Sequence, residues 1–113
     1  MKIAVVGSRG VLVDDETLLQ YLSEGDEVVS GGAEGVDRCA AEFAKKHGLC
    51  LVELLPCYER YGRAAPIVRN KELVDYADRV VVFWDGRSRG AHSVIRYAQK
   101  TGKDIEVILC DKS

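Results

Sequence analysis

The chain lacks any apolar run near the roughly 20 residues that a bilayer-crossing helix needs, so no membrane partner is expected. It lacks a charge excess of either sign. Lys and Arg number 16 against 18 Asp and Glu, a formal net charge of −2, whereas strong nucleic-acid binders draw affinity from a basic excess. Nucleic acid is therefore not the expected partner, although a local basic pocket is compatible with this balance. Cys39, Cys50, Cys57 and Cys110 lack the C-x-x-C spacing of a zinc or redox site, so they read as small buried thiols and no metal is expected. No secretory leader is expected, because Met1-Lys2-Ile3-Ala4-Val5-Val6 reads as entering a strand at once. With the cysteine usage, this reads as a cytoplasmic protein. There is no repeat, linker or low-complexity segment, and 113 residues suit one domain over residues 1–113 with a single core.

What is present is a regular alternation. Strand-like apolar runs occur at residues 3–6, 27–30, 50–55, 79–84 and 106–109, with helical periodicity in the gaps. Leu18 and Leu22 follow the acidic start Asp14-Asp15-Glu16, which suits a helix N-terminus. Val36, Ala40, Phe43, Ala44 and His47 form a second stripe stopped by Gly48. Ile67, Val74 and Ala77 line a third helix with Pro66 in its first turn, and Val94 and Ala98 mark a fourth ended by Gly102. Short buried strands separated by helices predict a parallel sheet with right-handed crossovers. The expected fold is α/β, a three-layer Rossmann-like sandwich with a five-stranded parallel sheet in order 3-2-1-4-5. Ligands bind such sheets at the carboxyl ends of strands where the order reverses. That point brings Gly7-Ser8-Arg9 and Asp85-Gly86 together.

Two glycine-rich turns follow apolar runs: Gly7-Ser8-Arg9-Gly10, and Gly31-Gly32-Ala33-Glu34-Gly35. Glycine lets a ligand approach the main chain, and the N–H groups opening the next helix favour an anion. No Lys follows as a Walker loop requires, and neither a G-x-G-x-x-G spacing nor an acid at the end of the second strand is present. Ser8 and Arg9 have phosphate-gripping chemistry at the switch point, against the plainer reading of a capping Ser and a solvated Arg. Gly31, Gly32 and Gly35 are more than a turn requires. Asp37, in the following helix's first turn, suits the dipole on its own account and would repel an adjacent phosphate. A ribose hydroxyl or a basic side chain is its expected partner. Asn70 interrupts an apolar stripe and must find a partner, either a ligand or a neighbouring carbonyl. Tyr58, Tyr61 and Arg63 lie at the same edge, where aromatics stack on a base or pack on themselves.

The motifs V-V-G-S-R, V-V-S-G-G-A-E-G-V-D, R-N-K-E-L-V-D-Y-A-D and D-G-R-S-R-G-A, in this order, resemble the SLOG superfamily. That group includes the Lonely Guy phosphoribohydrolases, the DprA DNA-processing proteins and small YspA/YpsA-related proteins, the last being the most similar. The resemblance implies a Rossmann-like fold that binds a nucleotide or nucleotide-derived ligand without a metal, and it admits a homodimer. It implies that Arg69 matches a catalytic Arg and that Asn70 replaces the Lys following it. It also implies that the segment from Asp85 to Ala91 is a second phosphate loop, with Gly86, Ser88 and Gly90 in it, and that Val94 stands where the enzymes place a catalytic Glu. The expected ligand-binding set is thus Gly7, Ser8, Arg9, Gly31, Gly32, Gly35, Asp37, Arg69, Asn70, Asp85, Gly86, Ser88 and Gly90. Two further readings stay open: phosphoribohydrolase activity on a nucleoside 5'-monophosphate, with Glu34, Asp37 or Asp85 as the carboxylate, and DprA-like binding of single-stranded DNA.

Overall fold

A computed structural model describes residues 1–110. Five strands, β1 (Lys2–Gly7), β2 (Glu27–Ser30), β3 (Cys50–Glu53), β4 (Arg79–Trp84) and β5 (Asp104–Leu109), form one sheet in the order β3-β2-β1-β4-β5. Every pairing is parallel. The connecting helices are α1 (Asp15–Leu18), α2 (Val36–Lys46), α3 (Tyr58–Tyr61), α4 (Ala65–Tyr76) and α5 (Arg89–Thr101). Side chains alternate across a strand, so β1 feeds both layers. Ile3 and Val5 pack with Leu18, Val28, Phe43 and Phe83 beneath α1 and α2. Ala4 and Val6 pack with Leu73, Val82, Val94 and Ile95 beneath α4 and α5. The expected Rossmann-like sandwich and its strand order are both present.

Several local expectations are corrected. The first crossover holds a single helical turn. Asp14 caps it by accepting from the Thr17 amide at 2.9 Å, after which bonds from Gln20 to Thr17 and from Tyr21 to Leu18 loosen the chain into turns. Ile67 is 53% exposed. It shares a helical-wheel position with Val74 but lies two turns earlier, in the part of α4 that borders the carboxyl edge of the sheet. The buried stripe of α4 is instead Asn70, Leu73 and Val74, continued by Ala77. Cys50 and Cys57 are exposed rather than buried, since β3 is an edge strand and Cys57 follows it. Cys39 and Cys110 do pack against the core. β5 starts earlier than its apolar run, at Asp104, which is in register with Arg79 of β4; the Arg79 side chain meets Asp104 at 3.7 Å and Glu106 at 2.8 Å.

Candidate functional site

Beyond their paired register, β1 and β4 separate, and Ser8 closes the gap at its base. Its amide donates to the Phe83 carbonyl at 3.1 Å, and its hydroxyl accepts from the Asp85 amide at 3.0 Å. The side chain is 1% exposed. Ser8 therefore holds the start of the β4–α5 loop against the end of β1. Above this latch lies a cleft of about 460 Å³. Its floor is apolar, made by Val6, Leu73, Ala91 and Val94, and its walls carry Arg9, Arg69, Arg87, Asp37 and Asp85.

The glycine turn after β2 has its own carboxylate to serve. Asp37, in the first turn of α2, is 5% exposed, and its Oδ2 accepts from the Ala33 amide at 3.2 Å. Burial pushes its carboxyl pKa up, while the Ala33, Gly31 and Gly7 amides and the Arg69 charge pull it back. The Ala33 amide of this turn thus serves a protein carboxylate, and the Gly32 amide donates to Ser30 Oγ at 3.3 Å. Gly35 opens α2 with φ +76°, and a Cβ there would lie 2.4 Å from the Arg9 carbonyl oxygen, so only glycine permits the two loops to touch. At Gly31 a Cβ would lie 2.7 Å from Arg69 Nη1 and 2.9 Å from Asp37 Oδ2, side-chain ends that would have to shift to admit it.

Arg69 enters from the first half of α4. Its Nη1 donates to the Gly31 carbonyl and its Nε to Asn70 Oδ1 at 3.0 Å. Those bonds use two of the five N–H donors a guanidinium carries. Burial lowers its pKa, Asp37 and the nearby Tyr58 phenol raise it, and Arg9 lowers it. Asn70, 7% exposed, donates from Nδ2 to Ser93 Oγ at 3.0 Å and to the Gly90 carbonyl at 3.4 Å. It meets its polar requirement within the protein, joining α4 to the first turn of α5.

The β4–α5 loop is held by Asp85, whose Oδ1 accepts from the Arg87 and Ser88 amides, each at 2.8 Å. Ser88 caps α5 by accepting from the Ala91 amide at 3.4 Å. The Trp84 indole donates to the Ser88 carbonyl at 3.0 Å and stacks on His92 with ring centroids 5.5 Å apart. The first turn of α5 carries no acidic residue, and open space surrounds the Cβ position of Gly90. Val94, 2% exposed, belongs to both the cleft floor and the core.

Of the expected residues, Gly7, Arg9, Asp37, Arg69, Asn70, Asp85, Ser88 and Gly90 line this cleft. Ser8, Gly31, Gly32, Gly35 and Gly86 do not; they shape the loops behind it. Gly32 and Gly86 are exposed. Glu34 lies with Gly35 and Arg38 in a separate shallow groove, leaving Asp37 and Asp85 as the carboxylates of the cleft. The expected set omits Arg87 and the floor residues Val6, Leu73 and Ala91. Periodicity marks Val6 as core, and nothing in a hydrophobic pattern says that a core residue also faces a cavity. Among the described residues, no group of three or more His, Cys, Asp or Glu side chains could hold a metal ion, and no helix is long and apolar enough to cross a membrane.

No family model matches the chain, and no curated protein does. Among solved structures, its fold is similar to the X-ray structure of DNA processing protein A (DprA) from Streptococcus pneumoniae, with a TM-score of 0.81 at 22% identity. The match covers 97% of this chain and 50% of that one, so the chain spans about half the length of the protein it resembles. The shared element is the Rossmann-like α/β fold.

Proposed function

We infer that the chain binds a nucleotide or nucleotide-derived, phosphate-bearing ligand in the cleft at the carboxyl edge of β1 and β4. The observation that carries this reading is the convergence of Arg9, Arg69 and Arg87 on one cleft beside an acid-free helix start, over an apolar floor. Guanidinium groups and helix-start amides suit phosphate oxygens, and the floor suits a base or sugar face. Membership in the SLOG superfamily, close to its YspA/YpsA-related branch, is part of the same reading. It is supported by the four motifs and by the fold.

A thermal-shift screen across nucleoside mono-, di- and triphosphates tests it. A ligand at a hundred times its dissociation constant stabilises by about 2.7 kcal/mol. Arg69→Ala is expected to weaken the best ligand by roughly 1.5–3 kcal/mol in calorimetry, the value of a charge-assisted bond. Unchanged affinity would remove Arg69 from the site, and the absence of any nucleotide hit would overturn the reading itself.

A second reading, binding of single-stranded DNA, is favoured by the fold shared with a protein named for DNA processing. The net charge of −2 weighs against it.

A further inference from the structure

We propose that Asn70 is the positioning residue of the cleft: its side-chain amide, locked by the first turn of α5, holds the Arg69 guanidinium by Nε and leaves Nη2 for a ligand. Asn70 is 7% exposed, and two partners of its amide tolerate only one orientation. Arg69 Nε–H can only donate, and it reaches Asn70 Oδ1 at 3.0 Å. The Gly90 carbonyl can only accept, and Asn70 Nδ2 reaches it at 3.4 Å. Ser93 Oγ accepts from Nδ2 at 3.0 Å while donating to the same Gly90 carbonyl at 2.9 Å. Turning the amide over would set donor against donor at Arg69 and acceptor against acceptor at Gly90. The amide therefore has one orientation.

Successive residues on a helix do not face each other, so the bond between Arg69 and Asn70 depends on how firmly the amide is held. A second anchor comes from the turn after β2, where Arg69 Nη1 donates to the Gly31 carbonyl. Two of the three guanidinium nitrogens are thus tied, one to α4 and one to that turn, which fixes the group and limits rotation of its plane. Among the described residues none accepts from Nη2, and Arg69 lines the cleft. With Nε engaged, the side-on fork of Nε and Nη2 is closed to a phosphate, and an anion meets the guanidinium through its Nη groups. Less ordering is then left for binding to supply. This functional sense rests on the cleft being the ligand site; the hydrogen bonds do not.

The test uses the full chain, nitrogen-15 labelled and without ligand. The Arg69 Nε–H resonance, assigned with Arg69→Lys, is compared by NMR at one pH in the wild type, Asn70→Leu and Asn70→Asp. Asn70→Leu keeps the branched shape but removes the acceptor, and the Gly90 carbonyl keeps its bond from Ser93. Solvent exchange of the Nε proton is expected to be about tenfold faster there. Asn70→Asp returns an acceptor to Nε without the donor to Gly90, so slow exchange is expected to return with it. Unchanged exchange in a folded Asn70→Leu overturns the proposal. Exchange as fast in Asn70→Asp as in Asn70→Leu also overturns it, because the tie between α4 and α5 would then matter and the bond to Nε would not. Where a variant does not fold, the wild type decides: its Arg69 Nε–H is expected to exchange about tenfold more slowly than that of the exposed Arg38, and equal rates overturn the proposal. Because no ligand enters these measurements, failure of nucleotides to bind would sink the cleft reading without touching this one.

Discussion

At the scale of single residues, Asp37 shows how a buried charge makes stability depend on pH. Burial raises its carboxyl pKa above the ordinary 3.8, and the surrounding amides and Arg69 only partly offset that. The folded chain therefore keeps the Asp37 proton to a higher pH than the unfolded chain. Between 3.8 and the raised value the folded state binds more protons, so this group's contribution to stability falls as pH rises through that window. Asp14 and Asp15 shift the opposite way, drawn down by Thr17 and Lys46, so the total slope of the protein mixes both signs. Comparison with Asp37→Asn isolates the one group. The unfolding free energy of the wild type minus that of the variant is expected to fall as pH climbs from below 3.8, then level off. Urea denaturation across a pH series measures it, and a difference that rises with pH would mean that the amides and Arg69 outweigh burial.

At the scale of elements, α4 and α5 decide what chemistry the cleft can carry. Asn70 ties them through Gly90 and Ser93, which keeps Arg69 beside the start of α5. The α5 residues at the floor are Ala91 and Val94, and neither supplies a proton or stabilises a cationic transition state. General acid–base assistance is worth about 10²–10⁴-fold, so release of free base from nucleoside monophosphates is expected to be absent or very slow. Chromatography of the incubated mixtures measures it. Turnover near 1 s⁻¹, an ordinary order of magnitude for enzymes, would hand the role to Asp37 or Asp85. Val94→Glu is the sharper probe. Its carboxylate would enter at the cleft floor, and gained turnover would show that the geometry supports hydrolysis. The variant is expected to be less stable, because Val94 is also core.

At the scale of the whole molecule, the arginines of the cleft are a local concentration on a chain of net charge −2. Phosphate contacts release counterions, so the salt dependence of nucleic-acid affinity counts how many are made. Single-stranded DNA binding by this chain is expected to be weak at physiological salt and to fall with a slope set by the few cleft arginines. Titration of a fluorescent oligonucleotide at several salt concentrations reads both. Tight binding at physiological salt would favour DNA over a small nucleotide as the ligand.

The architecture was legible in the sequence because strands buried on both faces must be apolar throughout, and because only helical crossovers join parallel strands. The strand order, the switch point and the grouping of Arg9, Arg69 and Asp85 at one edge follow from that alternation and from the motifs. Tertiary structure alone decided what the polar groups do with one another. Whether a glycine-turn amide faces solvent or the Asp37 carboxylate depends on how α2 leaves Gly35, where any Cβ would collide with the Arg9 carbonyl from another loop. The acceptors of the Asn70 Nδ2 and the donor to the Ser8 hydroxyl lie 20 or more positions away in the chain, beyond the reach of any local pattern. Ile67 and Val94 show the same limit from the apolar side. Periodicity reports which face of a helix is apolar, but where the sheet ends beneath that face, and where a cleft opens, is fixed only when the layers pack.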